Sequence, residues 1–324
     1  MHDEDVIGTD HTPQARLPGR GENVRRWSVR GGVALLVALL LYYPAGMIWI
    51  HTVDDNAAFA VEAAEGESRS VAVAAALIER ETDKNRWTAN DPFFLPGTAL
   101  DNMPNFQQGI IYALSRFAIE MSDQIGRVRG SSQVDDDLDS AAGRLKFPGT
   151  IWFFDFDTSW APTTASEQHY REARRALIKY NKRLAEGTAT FERRADNLQA
   201  TLERLSADLG SASAVIDHHI SEGAWFLDFE ADDIFYQTKG RLYAYYQLLV
   251  AFRLDFAPVI RERELGKAWD LMLESMRHAA VLDPTVIVNG DPEGQLLPSH
   301  LAAQGFYLLR ARTQLKEIAN ILLK

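Results

Sequence analysis

From Gly31 to Ile50 the chain runs for twenty residues without a charged side chain, and from Val33 onward it reads VALLVALLLYYPAGMIWI. A helix of that length rises ~30 Å, the thickness of a bilayer's hydrocarbon core. Pro44 would break a soluble helix but is tolerated in a membrane span, and Tyr42, Tyr43 and Trp49 are aromatics of the kind found at membrane interfaces. The chain therefore commits one helix to lipid and must build everything else outside it. Arg16, Arg20, Arg25, Arg26 and Arg30 precede the stretch, whereas Asp54, Asp55, Glu62, Glu65 and Glu67 follow it. Positive-inside places the N-terminus in the cytoplasm. Ala58-Phe59-Ala60 resembles a signal-peptide cleavage site but lies ten residues past the apolar run and behind two aspartates, so the anchor is expected to stay uncleaved.

Beyond the span the composition is that of a globular protein, 46% hydrophobic and 24% charged in 324 residues. The absence of cysteine rules out disulfides and thiolate metal sites and suits an oxidising compartment. The net charge of −11 belongs entirely to the later part: the first fifty residues hold five Arg and five acidic residues, leaving 29 basic and 40 acidic ones beyond. An acidic domain is repelled by phosphate backbones, so nucleic acid is excluded as a partner. The expected layout is a disordered cytoplasmic tail over 1–30, a transmembrane helix over 31–51, a connector over 52–69 and a periplasmic α-helical domain over 70–324.

Apolar periodicity supports that domain. Val71 begins a helix that fades before Trp87, and the proline-rich stretch from Thr88 to Pro104 reads as loop, with Asn105 as the next N-cap. Phe106, Ile110, Ala113, Leu114, Phe117, Met121 and Ile125 then form one helical stripe. Gly130 to Ser132 and Asp135 to Asp137 read as an exposed acidic turn before a short helix ending near Lys146. Tyr170, Leu177, Leu184, Phe191, Leu198 and Leu205 recur every seven residues, with Asn181, Thr188, Ala195, Leu202 and Leu209 four residues after the last five. This seam predicts a coiled-coil-like helix or helical hairpin of about 45 residues, with Gly187 as its one break. Asp232 to Phe256 carries a broad apolar face (Ile234, Leu242, Tyr245, Leu249, Phe252, Phe256), but Arg241, Arg253 and Asp255 make it a buried helix rather than a second span. Pro258 ends it. A helix from about Glu264 to Val281, a loop on Asp283-Pro284 and Asn289 to Pro292, and a last helix capped by Ser299 complete a mainly α bundle.

One hexapeptide is echoed. Trp152-Phe153-Phe154-Asp155-Phe156-Asp157 resembles Trp225-Phe226-Leu227-Asp228-Phe229-Glu230, each with a glycine shortly before it and a helix after it, as a duplicated unit would have. The aromatics either wedge between helices while the acids favour the next helix start, or, with Trp160, form an aromatic and carboxylate cleft for glycan or peptide. The candidate binding surface is thus Trp152, Asp155, Asp157, Trp160, Trp225, Asp228 and Glu230.

Signatures for phosphate loops, dinucleotide binding, esterases and zinc proteases do not occur. The Asp155, Asp157, Ser159 series fails as a calcium loop at Trp160 and Ser166. Asp217, His218, His219 and Glu222 form the densest polar cluster, but adjacent helical histidines point about 100° apart, which suits a solvated helix end better than a metal. Glu274 with His278, and His300 at a helix start, read as structural. No catalytic set, cofactor or metal is assigned.

With the anchor, N102-M-P-N-F-Q-Q-G109, W152-F-F-D-F-D-T-S-W160, V288-N-G-D-P292 and S299-H-L-A-A-Q-G-F-Y-L-L-R-A-R-T-Q-L315 taken together, the chain resembles the bacterial family catalogued as domain of unknown function 2333. The resemblance implies a membrane-associated protein and brings no site residues. The function expected is that of a non-enzymatic envelope scaffold, held by the lipid bilayer through its anchor and engaging another envelope protein or a second copy. The alternative is a periplasmic glycan- or peptide-binding protein or hydrolase.

Overall fold

The computed structural model describes residues 20–127, 134–154, 160–223, 228–284, 286–290 and 298–324. These are 72% helical and contain no strand. The first helix, α1 (Arg20–Ile50), is the one described helix long and apolar enough to cross a membrane, and its most apolar stretch is nowhere buried inside the protein. The rest is a bundle around α7 (Phe229–Asp255).

The apolar face of α7 lies in the protein core. Leu242, Tyr245, Leu249, Phe252 and Phe256 are fully buried, and Tyr243 and Ala244 extend burial round the helix, so its neighbours take up several sides. Those neighbours include α2 (Arg69–Glu79), α3 (Asn102–Glu120) and α9 (Gly266–Ala280). On α3 the whole stripe from Phe106 to Ile125 is buried, its last residues carried on a wider π-type turn, Met121–Ile125. Two glycines set the α3–α7 spacing. A Cβ on Gly109 would stand 2.1 Å from the Gln237 carbonyl oxygen, and one on Gly240 2.0 Å from that of Phe106. Only backbone fits there.

Three sequence expectations change. The helix expected after an Asn105 cap starts earlier, with Asp101 accepting the Asn102 N–H and Pro104 inside the first turn. Proline is tolerated there because first-turn N–H groups lack intrahelical acceptors. The acidic turn is not all exposed: Asp135 caps α4 (Asp136–Leu145), and Asp137, buried in the first turn of α4, is bonded by Arg183 at 2.6 Å and Lys179 at 2.8 Å from α5 (Ser166–Ala185). Gly130 to Ser132 lie outside the described residues.

The seven-residue seam is divided between two helices with different partners. Gly187 adopts φ +71°, a left-handed conformation that ends α5, and the next helix, α6, spans Ala195–Ser221. Tyr170 and Leu177 are buried on α5, which packs on α2 and α4, while Leu198, Leu202, Leu205 and Leu209 are buried on α6. Against α6 runs α10 (His300–Leu322), with Leu301, Leu308, Leu315 and Leu322 all buried. Ile216 approaches Gly305 while Gly210 approaches Arg312, so this pair is antiparallel. Asn181, a polar seam position, accepts the Ser68 N–H and donates to the Ser68 carbonyl. Pro258 opens α8 (Ala257–Glu262) directly after α7.

The chain between α1 and α2 is fastened to the bundle. Asp54 faces Arg80 at 3.5 Å, Asp55 faces the buried Lys239 at 2.7 Å, and the Asn56 carbonyl accepts from Tyr243 and Gln247. Phe59 and Val61 pack on the core. At the start of α2, Asp255 accepts from the Ser68 and Ser70 hydroxyls and from the Arg69 and Ser70 amides, a carboxylate at a positive helix end.

Candidate functional site

The described residues of the expected aromatic and carboxylate cleft fall into separate settings. Asp155, Asp157 and Trp225 lie outside the described residues. Asp228 is the N-cap of α7: it accepts the Ala231 amide, the Asn289 side-chain amide at 3.0 Å and a bond with His219 Nε2 at 2.7 Å. Burial opposes its ionisation, but the Ala231 amide, Asn289 and His219 outweigh it and hold its carboxyl below the usual range. This carboxylate is committed to tying α6, α7 and residue 289 together. Glu230 points to solvent in the first turn of α7. That helix starts inside the second echo segment, at Phe229, whereas α5 starts only at Ser166, well past the first.

Trp152 and Trp160 belong to a different place. The Trp152 ring meets Phe94 and Phe154, each at 5.7 Å between centroids, and Phe153 meets Phe154 at 4.9 Å. Phe154 bridges Pro162, and Thr163 donates to the Phe153 carbonyl, so the chain doubles back here. The loop from Thr88 to Ala99 lies beside it: Asn90 donates to the Ile151 carbonyl and Trp87 to that of Gly149. Phe93 and Trp160 are 79% and 86% exposed.

This aromatic platform touches α1. Tyr42 donates to the Phe94 carbonyl at 3.0 Å and Tyr43 to that of Phe93, while Gly46 leaves room for Pro96, whose ring would stand 2.3 Å from a Cβ there. Sequence reasoning placed these residues in an undifferentiated loop. The available signal was Phe93-Phe94 between Pro92 and Pro96, two large apolar side chains where a solvated loop needs none.

A groove of about 440 Å³ opens between α3 and the turn after α4, lined among others by Gln108, Tyr112, Arg116, Lys146 and Gln237. Behind it, Asp208 on α6 accepts from Tyr112 at 2.8 Å and from the fully buried Tyr245 at 2.7 Å, with Arg116 and Arg241 within 4 Å. Burial and the neighbouring Asp208 raise both phenols, so neither tyrosine supplies a phenolate. Arg241 stacks on Tyr112 at 3.9 Å. The groove can offer cations and amides to an anionic or polar segment; its carboxylate is already taken.

Among the described residues no group of three His, Asp or Glu side chains is placed to hold a metal ion. His218 is exposed and His219 is turned to Asp228, so the adjacent histidines part as helical spacing requires.

The family described as "Uncharacterized protein conserved in bacteria (DUF2333)" matches residues 22–226 and 217–324. The chain is a member of that family. The match takes in nearly all of α1, both loops of the platform and the bundle. No curated protein and no solved structure matches the chain.

Proposed function

We propose that this protein is a membrane-anchored, non-enzymatic interaction protein of the bacterial cell envelope. In this reading α1 spans the inner membrane with the N-terminus in the cytoplasm, and the bundle stands in the periplasm, where it engages another envelope protein or a second copy. The observation that carries it is the fastened connector: Asp54, Asp55 and Asn56, next to the span, are each bonded to the bundle. Such fixation suits a surface that must meet a partner at set height and orientation, because a preorganised surface loses less freedom on binding. The arginines before the span and the acids after it support the orientation.

Two measurements test this. In spheroplasts, a cysteine introduced for Asp123 should react with a membrane-impermeant maleimide, which the cysteine-free parent cannot do; protection until the membrane is permeabilised rejects the periplasmic assignment. Photo-crosslinkers at Gln108 and Lys146 should then give one discrete product of defined mass, and a monomer alone at every position rejects the interaction role. The groove itself favours a second reading, a binder of a short polar peptide or glycan. Arg116→Ala with Lys146→Ala should abolish that function while leaving fold and level unchanged, as a complementation assay of the deletion strain would read.

A further inference from the structure

We infer that the Phe93–Phe94 tip of the folded domain is itself inserted into the outer leaflet, so that the protein meets the bilayer through the span and a second, monotopic aromatic contact. The inference rests on the reading that α1 crosses the membrane. Given that reading, the position of the tip follows from contacts rather than from its apolarity alone. Filling a ~30 Å hydrocarbon core needs about twenty residues, which the uncharged stretch supplies only if it is used from Gly31 to Ile50. Tyr42 and Tyr43, which hold the Phe94 and Phe93 carbonyls, then lie roughly 10 Å below the helix end at Ile50. Pro96 against Gly46 fixes the same loop about 6 Å below it. The tip cannot keep these contacts and remain in water.

The chemistry of the tip agrees with that depth. Backbone at membrane level needs its polar groups paired, and two carbonyls of the tip accept from hydroxyls of the span. Pro92 and Pro96 on either side bring no N–H. Phe93, 79% exposed, and the half-exposed Phe94 turn outward where a solvated loop would place polar groups. Trp152, beside Phe94, and the half-exposed Phe153 continue the surface from Phe94, a set suited to the level where acyl chains give way to headgroups. Such a contact removes the freedom of a bundle to spin about or tilt on its single anchor.

The full-length protein, naturally free of cysteine, permits the test in phosphatidylcholine and phosphatidylglycerol nanodiscs. An environment-sensitive fluorophore is attached to one of three single variants: Phe93→Cys, Ala38→Cys within the span, or Asp123→Cys at the far end of α3. Lipids carrying a spin label on the acyl chain should quench the probes at Phe93 and Ala38, and aqueous iodide should quench the Asp123 probe several-fold more than either. If Ala38 is quenched from lipid while Phe93 follows Asp123, the span stands and the insertion is overturned. If neither Ala38 nor Phe93 responds to lipid, the spanning reading falls, and the insertion with it. Phe93→Cys replaces an exposed side chain, so folding is not in question.

Discussion

Arg80 and Glu81 are buried together, with 3% and 0% of their side chains exposed, and their 2.7 Å contact is helped by Tyr243, which accepts from Arg80 at 2.7 Å and stacks against it. Burial raises the Glu81 carboxyl, and Arg80 opposes that shift. Removing one partner of such a pair costs about 3–5 kcal/mol, because the other charge is left without compensation. Arg80→Met should therefore destabilise strongly. A carboxyl whose folded pKa lies above its unfolded value loses stability as pH rises, so the loss should be larger at pH 8 than at pH 5. Adding Glu81→Gln should restore most of it, and urea titrations of the three proteins at both pH values provide the check. Asp232 follows the same sign for another reason: burial, then Asp101 and Asp233, push it up to about 6. The native state binds more protons between the ordinary 3.8 and that value, so its stability falls as pH climbs through the window. Asp232→Asn should raise Tm at pH 7.5 and leave it unchanged at pH 3.5; a gain of equal size at both values would exclude this cause.

Elements meet by rules partly written in the sequence. The stripe from Phe106 to Ile125 and the broad face of α7 were legible because burial of one helix side imposes a 3.6-residue period on the apolar side chains. The break at Gly187 was legible as well, since glycine enters the left-handed region without steric cost. The division of the seam was not, because a seven-residue period says that a helix packs but not against which partner. Nor was the α3–α7 crossing, where Gly109 and Gly240 matter through the carbonyls of Gln237 and Phe106, which follow from the crossing and not from local pattern. Alanine normally stabilises an exposed helix by about 1 kcal/mol over glycine, and Gly143 in α4, with open space around it, should show that gain. Gly240→Ala should instead lose about 2–3 kcal/mol, since backbone cannot yield as a side chain can. Paired thermal melts decide the matter: two gains would mean that the helices separate freely.

At the scale of the whole molecule, the sequence exposed α1 as a long apolar helix and hid its coupling to the bundle. The connector reads as Ala/Glu-rich and loose, yet its fastening uses Asp54, Asp55 and Asn56 against Arg80, Lys239, Tyr243 and Gln247, pairs up to 191 residues apart that no local pattern encodes. The setting of Asp228 was hidden for a related reason. Asp228 resembles a binding carboxylate in composition, and its role as a cap became visible only when His219 and Asn289 were brought to it. A free connector of the seventeen residues from Thr52 to Ser68 would let α1 and the bundle wander by about 20–25 Å. Spin labels on Trp49→Cys, 89% exposed at the end of α1, and Val215→Cys, 52% exposed on α6, should instead give a narrow distance distribution in bilayers. Lys239→Met leaves Asp55 without its buried cation while Asp55 itself stays partly solvated, so the bundle should remain folded as the fastening weakens. Broadening in that variant, with an unchanged melt, assigns rigidity to the connector; a distribution already broad in the parent shows that the domain hangs free on its anchor.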